Sequence, residues 1–319
     1  MVEITAPHPF NSAPRRRTIG EWFRRNPVTL KEMRSRMRGR RAFIVITIHV
    51  GLLSIVVSLI YAAYVASNRT FSNPADLQTL GKVIFNVVVG LQLLMMCFIS
   101  PSLTVGAISA EREHQTFDLL RTTLLSAREL VQGKLLSALS FSLLLMVAAL
   151  PLQSLAFLFG GITIEEVFIG SLMLVVTAIG FSAIGLFFSS LAKRTLVATA
   201  LSNGATVLLV VGLPIITFVT MSIMAPVLSG FGGAAIGADV QARLVTLQWI
   251  LVSISPLPAG IATQAMLSGG QGAWSSSITL GGGSTLQVVA PWIIYVSVYL
   301  VLSAILIALS IRIVNRPEI

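Results

Sequence analysis

Few residues in this sequence have the type and spacing that catalysis or metal binding needs. The Gly-x-Ser-x pattern at residues 180–183 could present Ser182 as a nucleophile, but such a serine needs a base within hydrogen-bond reach. The three histidines, His8, His49 and His114, are far apart in sequence, and none follows Ser182. The sequence contains no His-Glu-x-x-His metal motif and no Gly-x4-Gly-Lys-Ser/Thr phosphate-binding loop. It therefore predicts a chain that is not itself catalytic, holds no metal and binds no cofactor of its own.

Uncharged polar side chains interrupt the long apolar runs of the sequence. Those that could line a translocation path are Asn86, Gln92, Gln153 and Asn203. The same side chains could instead form hydrogen bonds between helices, and the residues leave both roles open. No Asp, Glu, Lys or Arg lies well inside an apolar run. Ion-coupled transporters usually carry such groups near the middle of the membrane, so any transport is expected to draw its energy from elsewhere.

The elements that must position these residues are apolar helices. Of the 319 residues, 55% are hydrophobic and 11% are charged, against about 25% charged residues in ordinary globular proteins. This composition excludes a soluble enzyme, a disordered chain and a nucleic-acid-binding module. The segments that reach the roughly 20 apolar residues needed to cross a bilayer are 42–65, 83–108, 135–159, 167–192, 196–219 and 288–311. We therefore predict an all-α, polytopic membrane protein with six transmembrane helices in a domain over residues 42–313.

The basic residues orient these six helices. Of the 22 lysines and arginines, 11 lie within residues 1–41. With the N-terminus inside the cell, 19 basic residues fall in cytoplasmic segments and 3 fall outside, as the positive-inside rule requires. We expect a multi-pass protein of the plasma membrane with both termini cytoplasmic, as tails at 1–18 and 314–319. The N-terminal charge is assigned to membrane lipid and not to nucleic acid.

Residues 220–287 form the predicted external loop. They are rich in glycine, serine and alanine and contain one apolar stretch, Leu244 to Ile254, that is too short to cross the membrane. Pro256 and Pro258 interrupt any longer helix. We expect a short or re-entrant helix here, because a seventh span would place the C-terminal arginines outside the cell, against the charge rule.

Two cytoplasmic segments are predicted to be amphipathic helices. Residues 19–41 begin a helix at an Asn-Pro pair and place apolar side chains on one face and arginines on the others, which is typical of a helix lying flat on the membrane. Residues 109–134, between the second and third spans, combine charges with Phe117 and Leu120 on one helical face. We expect this second segment to lie in water or against another protein.

Both segments resemble the ABC-2-type permeases, the membrane subunits of ATP-binding-cassette exporters. The stretch from Asn26 to Phe43 is similar to the elbow helix that leads into the first span in this family. The stretch from Glu111 to Leu135 is similar to the family pattern Glu-x-Glu-x-Gly-Thr-x-Glu-x-Leu-Leu, then Thr-Pro-Leu-Ser, then Glu-x-x-x-Gly-Lys. The departures are Gln115 in place of glycine, Asp118 in place of glutamate, and Thr123-Leu124-Leu125 where Pro-Leu is common.

The resemblance covers residues 19–313 and implies a homo- or heterodimer of permease subunits with two separate ABC ATPase subunits, which bind ATP and Mg²⁺. It implies export of a substrate driven by ATP hydrolysis in those partners, with a coupling helix between spans two and three. The residues implied in coupling to the ATPase are Glu111, Arg112, Glu113, Thr116, Phe117, Asp118, Leu120 and Arg121. Those implied in the elbow helix at the membrane surface are Asn26, Pro27, Glu32, Arg34, Arg38 and Arg41. The alternative from another class is a non-transport membrane scaffold or sensor subunit, with the same spans and no ATPase partner.

Overall fold

The computed structural model describes residues 39–67, 74–115, 126–228, 237–270, 272–279 and 285–315. The helices in these ranges are α1 (Arg40–Ser67), α2 (Pro74–Thr104), α3 (Ser109–Glu113), α4 (Ala127–Ala148), α5 (Leu150–Phe159), α6 (Ile164–Leu191), α7 (Thr195–Val207), α8 (Leu213–Leu228), α9 (Ala238–Ile254), α10 (Pro256–Ser268) and α11 (Pro291–Asn315). A π-helical segment, Leu208–Gly212, joins α7 to α8, and strands β1 (Ser275–Thr279) and β2 (Thr285–Val289) form an antiparallel hairpin. Most of the predicted elbow helix and residues 116–125 of the coupling segment lie outside the described residues.

Within the described residues, six helical segments are long and apolar enough to cross a membrane, which confirms the predicted all-α polytopic fold. They are Ala42–Ser67, Ala75–Glu113, Ala127–Phe159, Ile164–Leu191, Thr195–Pro226 and Pro291–Asn315. The third span consists of α4 and α5, which are separated at Ala149. The break falls two residues before Pro151, whose nitrogen has no hydrogen to donate to the preceding turn.

Side-chain caps fix where the third and fourth spans begin. Ser126 accepts a hydrogen bond from the backbone N–H of Glu129 at 3.3 Å, and the Glu129 carboxylate accepts one from the backbone N–H of Ser126 at 3.1 Å. Thr163 and Glu166 make the same reciprocal pair at 3.2 Å each. Both pairs have the Ser/Thr-x-x-Glu spacing of a capping box, which satisfies donors that the first turn of a helix leaves free.

The fourth span, α6, is the most buried of the six and packs against both α2 and α11. Two of its glycines allow the close approach. A Cβ on Gly180 would lie 2.7 Å from the ring of Tyr299 in α11, and one on Gly185 would lie 2.5 Å from the carbonyl oxygen of Pro101 in α2. Small residues at these positions let neighbouring helices touch backbone to backbone, which is how helices associate within a membrane.

The described part of the region between the fifth and sixth spans contains two helices and two strands. Helices α9 and α10 form a pair bent by 112° at Ser255, so the prolines that interrupt the first helix begin the second. The hairpin that follows was not predicted, because its first strand is mostly serine and lacks the apolar alternation of a half-buried strand. Two indoles hold this region together: Trp249 donates to the carbonyl of Val289 at 2.8 Å, and Trp292 donates to that of Ala273 at 2.7 Å.

Candidate coupling and translocation sites

A serine from the fourth span caps the start of α3. Helix α2 ends at Thr104, and a turn of residues 105–108 leads into α3. The backbone N–H groups of Ile108 and Ser109 both donate to the Oγ of Ser189 in α6, at 2.9 and 3.0 Å. All three residues are fully buried. One hydroxyl from a neighbouring helix therefore does what an N-cap side chain does within its own helix.

Charged residues of α3 extend this junction to the fifth span. Arg112 donates from Nη1 to the backbone oxygen of Ser190 in α6, at 2.7 Å. The carboxylate of Glu113 accepts a hydrogen bond from the backbone N–H of Thr195, the first residue of α7, at 3.0 Å. Negative charge is favourable at that position, because the free N–H groups and the dipole of α7 point toward it.

Glu111 connects the same short helix to the third span. Its Oε1 lies 3.3 Å from the Nζ of Lys134 in α4. The Lys134 side chain is 6% exposed and that of Glu111 is 34% exposed, so the ammonium is sheltered from water on most sides. Removing the carboxylate would leave a buried cation without this partner, which is costly. The charged run Glu111–Glu113 thus ties the end of the second span to the third, fourth and fifth.

The coupling role stays a prediction for all of the residues implied in it, and five of them are not described. Thr116, Phe117, Asp118, Leu120 and Arg121 lie outside the described residues. The residue just before them, Gln115, has a backbone φ of 56°. That left-handed conformation is the one glycine adopts most easily, and glycine is the residue the family pattern usually has here. The chain therefore turns sharply where α3 ends.

The predicted membrane-surface residues are described only at their end. Asn26, Pro27, Glu32, Arg34 and Arg38 lie outside the described residues, and Arg41 lies in the first turn of α1. Many apolar side chains that follow in α1 face outward: Phe43 is 72% exposed and Ile48 is 60% exposed, whereas Leu53 is buried. Such an outward apolar face suits a helix in contact with lipid.

The four polar residues proposed for a translocation path lie in three different environments. Gln153 donates from Nε2 to the Oε1 of Gln92 at 2.9 Å, and both side chains are buried, so this pair joins the second and third spans. Asn86 is half-buried and lines a cavity beside α10. Asn203 is exposed on the outer face of α7. Within this chain the four residues do not converge on one path.

The Gly-x-Ser-x pattern of α6 serves helix packing. Gly180 lies against the ring of Tyr299, and the hydroxyl of Ser182 donates toward the carbonyl of Ser100 in α2 at 3.4 Å. The carbonyl of Ser182 accepts a hydrogen bond from the Thr104 hydroxyl at 2.9 Å. These contacts hold α2 and α6 together across the bundle.

Comparison with known families identifies the architecture. A family model described as ABC-2 type transporter matches residues 26–222, which is more than half of the chain. The chain belongs to the ABC-2 type transporter family. Among curated proteins, none matches it. Membrane domains of this family work with ABC ATPase subunits in general.

In this ABC-2 permease, the matched residues cover the predicted elbow from residue 26 onward, the coupling segment and the first five spans except for the end of α8. Lys134 was part of the family pattern but had no assigned role, and Ser189 and Ser190, which anchor α3, were not singled out from the sequence. Two consecutive serines at the end of an apolar run are a weak signal, because serine is also a common helix-packing residue in membranes. Their partners lie about 80 residues earlier in the chain, a separation that no local pattern reveals.

Proposed function

We propose that this permease is the membrane subunit of an ABC exporter, which moves a substrate across the plasma membrane with energy from ATP hydrolysis in separate ATPase subunits. The observation that carries the proposal is the anchoring of α3. The segment implied in ATPase coupling begins with α3, a helix that is bonded to the third, fourth and fifth spans. A force applied to this segment is therefore passed through α3 to three other spans by direct bonds.

The mechanism follows from these bonds. When two ATPase subunits close on ATP, they push the coupling segment of each permease. Because Glu111 holds α4, Arg112 holds α6 and Glu113 holds the start of α7, those helices move with the segment as one body. Close-packed interiors transmit such displacements because they deform little. Movement of one group of spans against another then opens the path on the outer side.

A second permease subunit is part of the proposal because one face of the fifth span remains uncovered. Leu208 is 61% exposed and Phe218 is 72% exposed, and the polar Asn203 is exposed beside Gly204. A Cβ on Gly204 would meet no atom within 4 Å. An amide facing lipid is unfavourable, whereas small and polar residues are favoured between packed membrane helices. A second copy or a related subunit would cover this face.

The decisive experiment is retention of the ATPase by a coupling-segment variant. We expect Phe117→Ala to weaken the permease–ATPase complex, since truncating an interface anchor typically costs about 2 kcal/mol or more, which is about thirtyfold in affinity. Pull-down of the ATPase subunit by the purified permease measures this. Phe43→Ala is the matched control, because it makes the same change at a side chain that is 72% exposed on the first span.

Normal ATPase retention by a well-expressed Phe117→Ala protein would place the docking surface elsewhere. The alternative function, a membrane scaffold or sensor without transport, predicts that no ABC ATPase co-purifies with the permease at all. The alternative is favoured by no specific contact in the described residues. Reconstituted ATP-dependent transport with the ATPase present would exclude it.

The proposed orientation has its own test. Cys97 is the only cysteine of the sequence and is fully buried, so replacing it gives a background without reactive thiols. We expect cysteines introduced at Arg112 and Arg194 to react only with reagents that enter the cytoplasm. Cysteines at Gly232 and Gly283 should react with membrane-impermeant reagents added outside. External labelling at position 112 would contradict the orientation on which the coupling proposal depends.

A further inference from the structure

A cavity of about 690 Å³ lies between α2, α6 and α10. Its walls are mostly aliphatic, including Val89 and Leu93 of α2, Met173 of α6 and Leu257 of α10. Its volume falls within the range of about 300 to 1,000 Å³ that small-ligand pockets occupy. Ile261 at its edge is 70% exposed, so the cavity opens to the outer surface of the bundle.

The wall also carries a few polar groups, and none of them is charged. They are Asn86 of α2 and Gln264 and Ser268 of α10. Among the residues that the structure describes, the amides of Asn86 and Gln264 have no hydrogen-bond partner. A fixed charge on a ligand would remain unpaired here, which is unfavourable away from water. Neutral groups that donate or accept hydrogen bonds fit the available amides.

The polar groups lie toward one end of the cavity. Leu93 comes within 4.0 Å of the position that a Cβ would take on Gly260, so these two residues lie side by side at the same depth in the cavity. Asn86 lies two turns before Leu93 in α2, whereas Gln264 and Ser268 lie one and two turns after Gly260 in α10. In a six-span chain the second and sixth spans begin on the same side of the membrane. Ala273 and Trp274, which follow α10 closely, are hydrogen-bonded to Trp292 and Ala290 at the start of the sixth span. Both sets of polar residues therefore lie toward that side.

We propose that this cavity binds a single-chain amphiphile, with an aliphatic chain along Val89, Leu93 and Leu257 and an uncharged hydrogen-bonding headgroup at Asn86 and Gln264. The walls supply apolar burial for the chain, and the two amides supply hydrogen bonds for the headgroup. The volume suits one aliphatic chain and not a whole two-chain phospholipid. A ligand of this chemistry is either a resident membrane lipid or the transported substrate. Only the second assignment rests on the proposed function.

Two glycines allow the cavity to be filled without disturbing the rest of the fold. A Cβ on Gly90 would meet no atom within 4 Å, and one on Gly260 would meet only Leu93, at 4.0 Å. Both glycines line the cavity, so leucine at either position would extend into the space that the aliphatic chain occupies. Gly51 in α1 also has open space around it and does not line the cavity. Gly51→Leu is therefore the matched control.

The test uses the purified permease in nanodiscs and a monoacylglycerol that carries a photoreactive diazirine in its acyl chain. Peptide mass spectrometry then locates the labelled residues. We expect labelling of the peptides containing residues 86–94 and 256–268, and a fall of about tenfold in Gly90→Leu and in Gly260→Leu. Gly51→Leu should label as the wild type does. Unchanged labelling in both filled variants that remain monodisperse, or labelling confined to other peptides, would overturn the site.

A second probe tests the headgroup. A fatty acid with the same diazirine carries a carboxylate, and we expect it to label the cavity peptides about tenfold less than the monoacylglycerol does. Replacing Asn86 and Gln264 together by leucine should remove this preference. Equal labelling by the two probes in the wild type would overturn the assignment of an uncharged headgroup.

The last experiment distinguishes a resident lipid from a transported substrate. The complex with the ATPase is labelled before and after trapping with ATP and vanadate. Loss of labelling on trapping identifies the site as one for transported substrate, and constant labelling identifies a resident lipid. Both results support the binding site. If no ATPase associates, the proposed function fails while the labelling of the isolated permease still tests the cavity.

Discussion

Replacing Gly185 by alanine should destabilise the permease, although the same change stabilises most helices. A Cβ at this position would lie 2.5 Å from the carbonyl oxygen of Pro101 and 2.9 Å from its Cα, and it would also contact the hydroxyl of Thr104. The obstructing atoms belong mainly to the backbone of α2, so the two helices must separate. Overpacking of this kind typically costs about 1–3 kcal/mol.

In the matched control, the expected change in stability has the opposite sign. Gly51→Ala makes the same change in α1, where a Cβ meets no atom within 4 Å, and alanine is favoured over glycine in a helix interior by roughly 0.5–1 kcal/mol. The measurement is the temperature at which each purified variant loses its monodisperse size-exclusion peak in detergent. Gly185→Ala should lose it at a lower temperature than the wild type, and Gly51→Ala should not. Equal stability of the two variants would show that α2 and α6 are not packed as closely as the structure places them.

The membrane-spanning architecture could be predicted from the sequence because its signals are local. A run of about 20 apolar residues has to cross the bilayer whatever lies beside it, and each of the six predicted segments overlaps one helical span. The predicted sixth segment begins three residues too early, because residues 288 and 289 belong to β2. The start of the third span at Ser126 and that of the fourth at Thr163 follow from side chains only three residues away from their partners. Such features need no knowledge of the tertiary structure.

The features that distinguish this molecule depend on distant residues, so the sequence did not reveal them. The sequence suggested that Gln92 and Gln153 could form interhelical hydrogen bonds, but not that they would bond to each other across 61 positions. The cavity beside α10 exists because a helix pair bends by 112° and places Leu257 and Gly260 next to the second span. The prolines predicted the interruption, but no local pattern indicated the bend angle or the neighbouring helix.

The coupling junction should be most sensitive to Ser189, because this one hydroxyl accepts hydrogen bonds from two backbone donors. In Ser189→Ala the N–H groups of Ile108 and Ser109 lose their acceptor while remaining buried. A buried donor left unsatisfied costs about 1–3 kcal/mol, so we expect the junction to be destabilised by about 2 kcal/mol or more. Because every 1.4 kcal/mol is a factor of ten, hydrogen exchange at these two amides should accelerate about thirtyfold.

Ser190→Ala is the matched control for the Ser189 variant. Ser190 is the next residue and is equally buried, but its hydroxyl donates to Phe187 in its own helix, at 2.7 Å. Its bond with Arg112 uses the backbone oxygen, which alanine retains. We expect Ser190→Ala to exchange like the wild type at residues 108 and 109. The Ser189→Ala permease should still bind the ATPase, because the proposed docking residues of the permease are unchanged. We expect the bound ATPase to hydrolyse ATP with reduced transport, because α3 then keeps only the Arg112 bond to the fourth span. Full transport by a Ser189→Ala protein with accelerated exchange would show that the force reaches the bundle through other contacts.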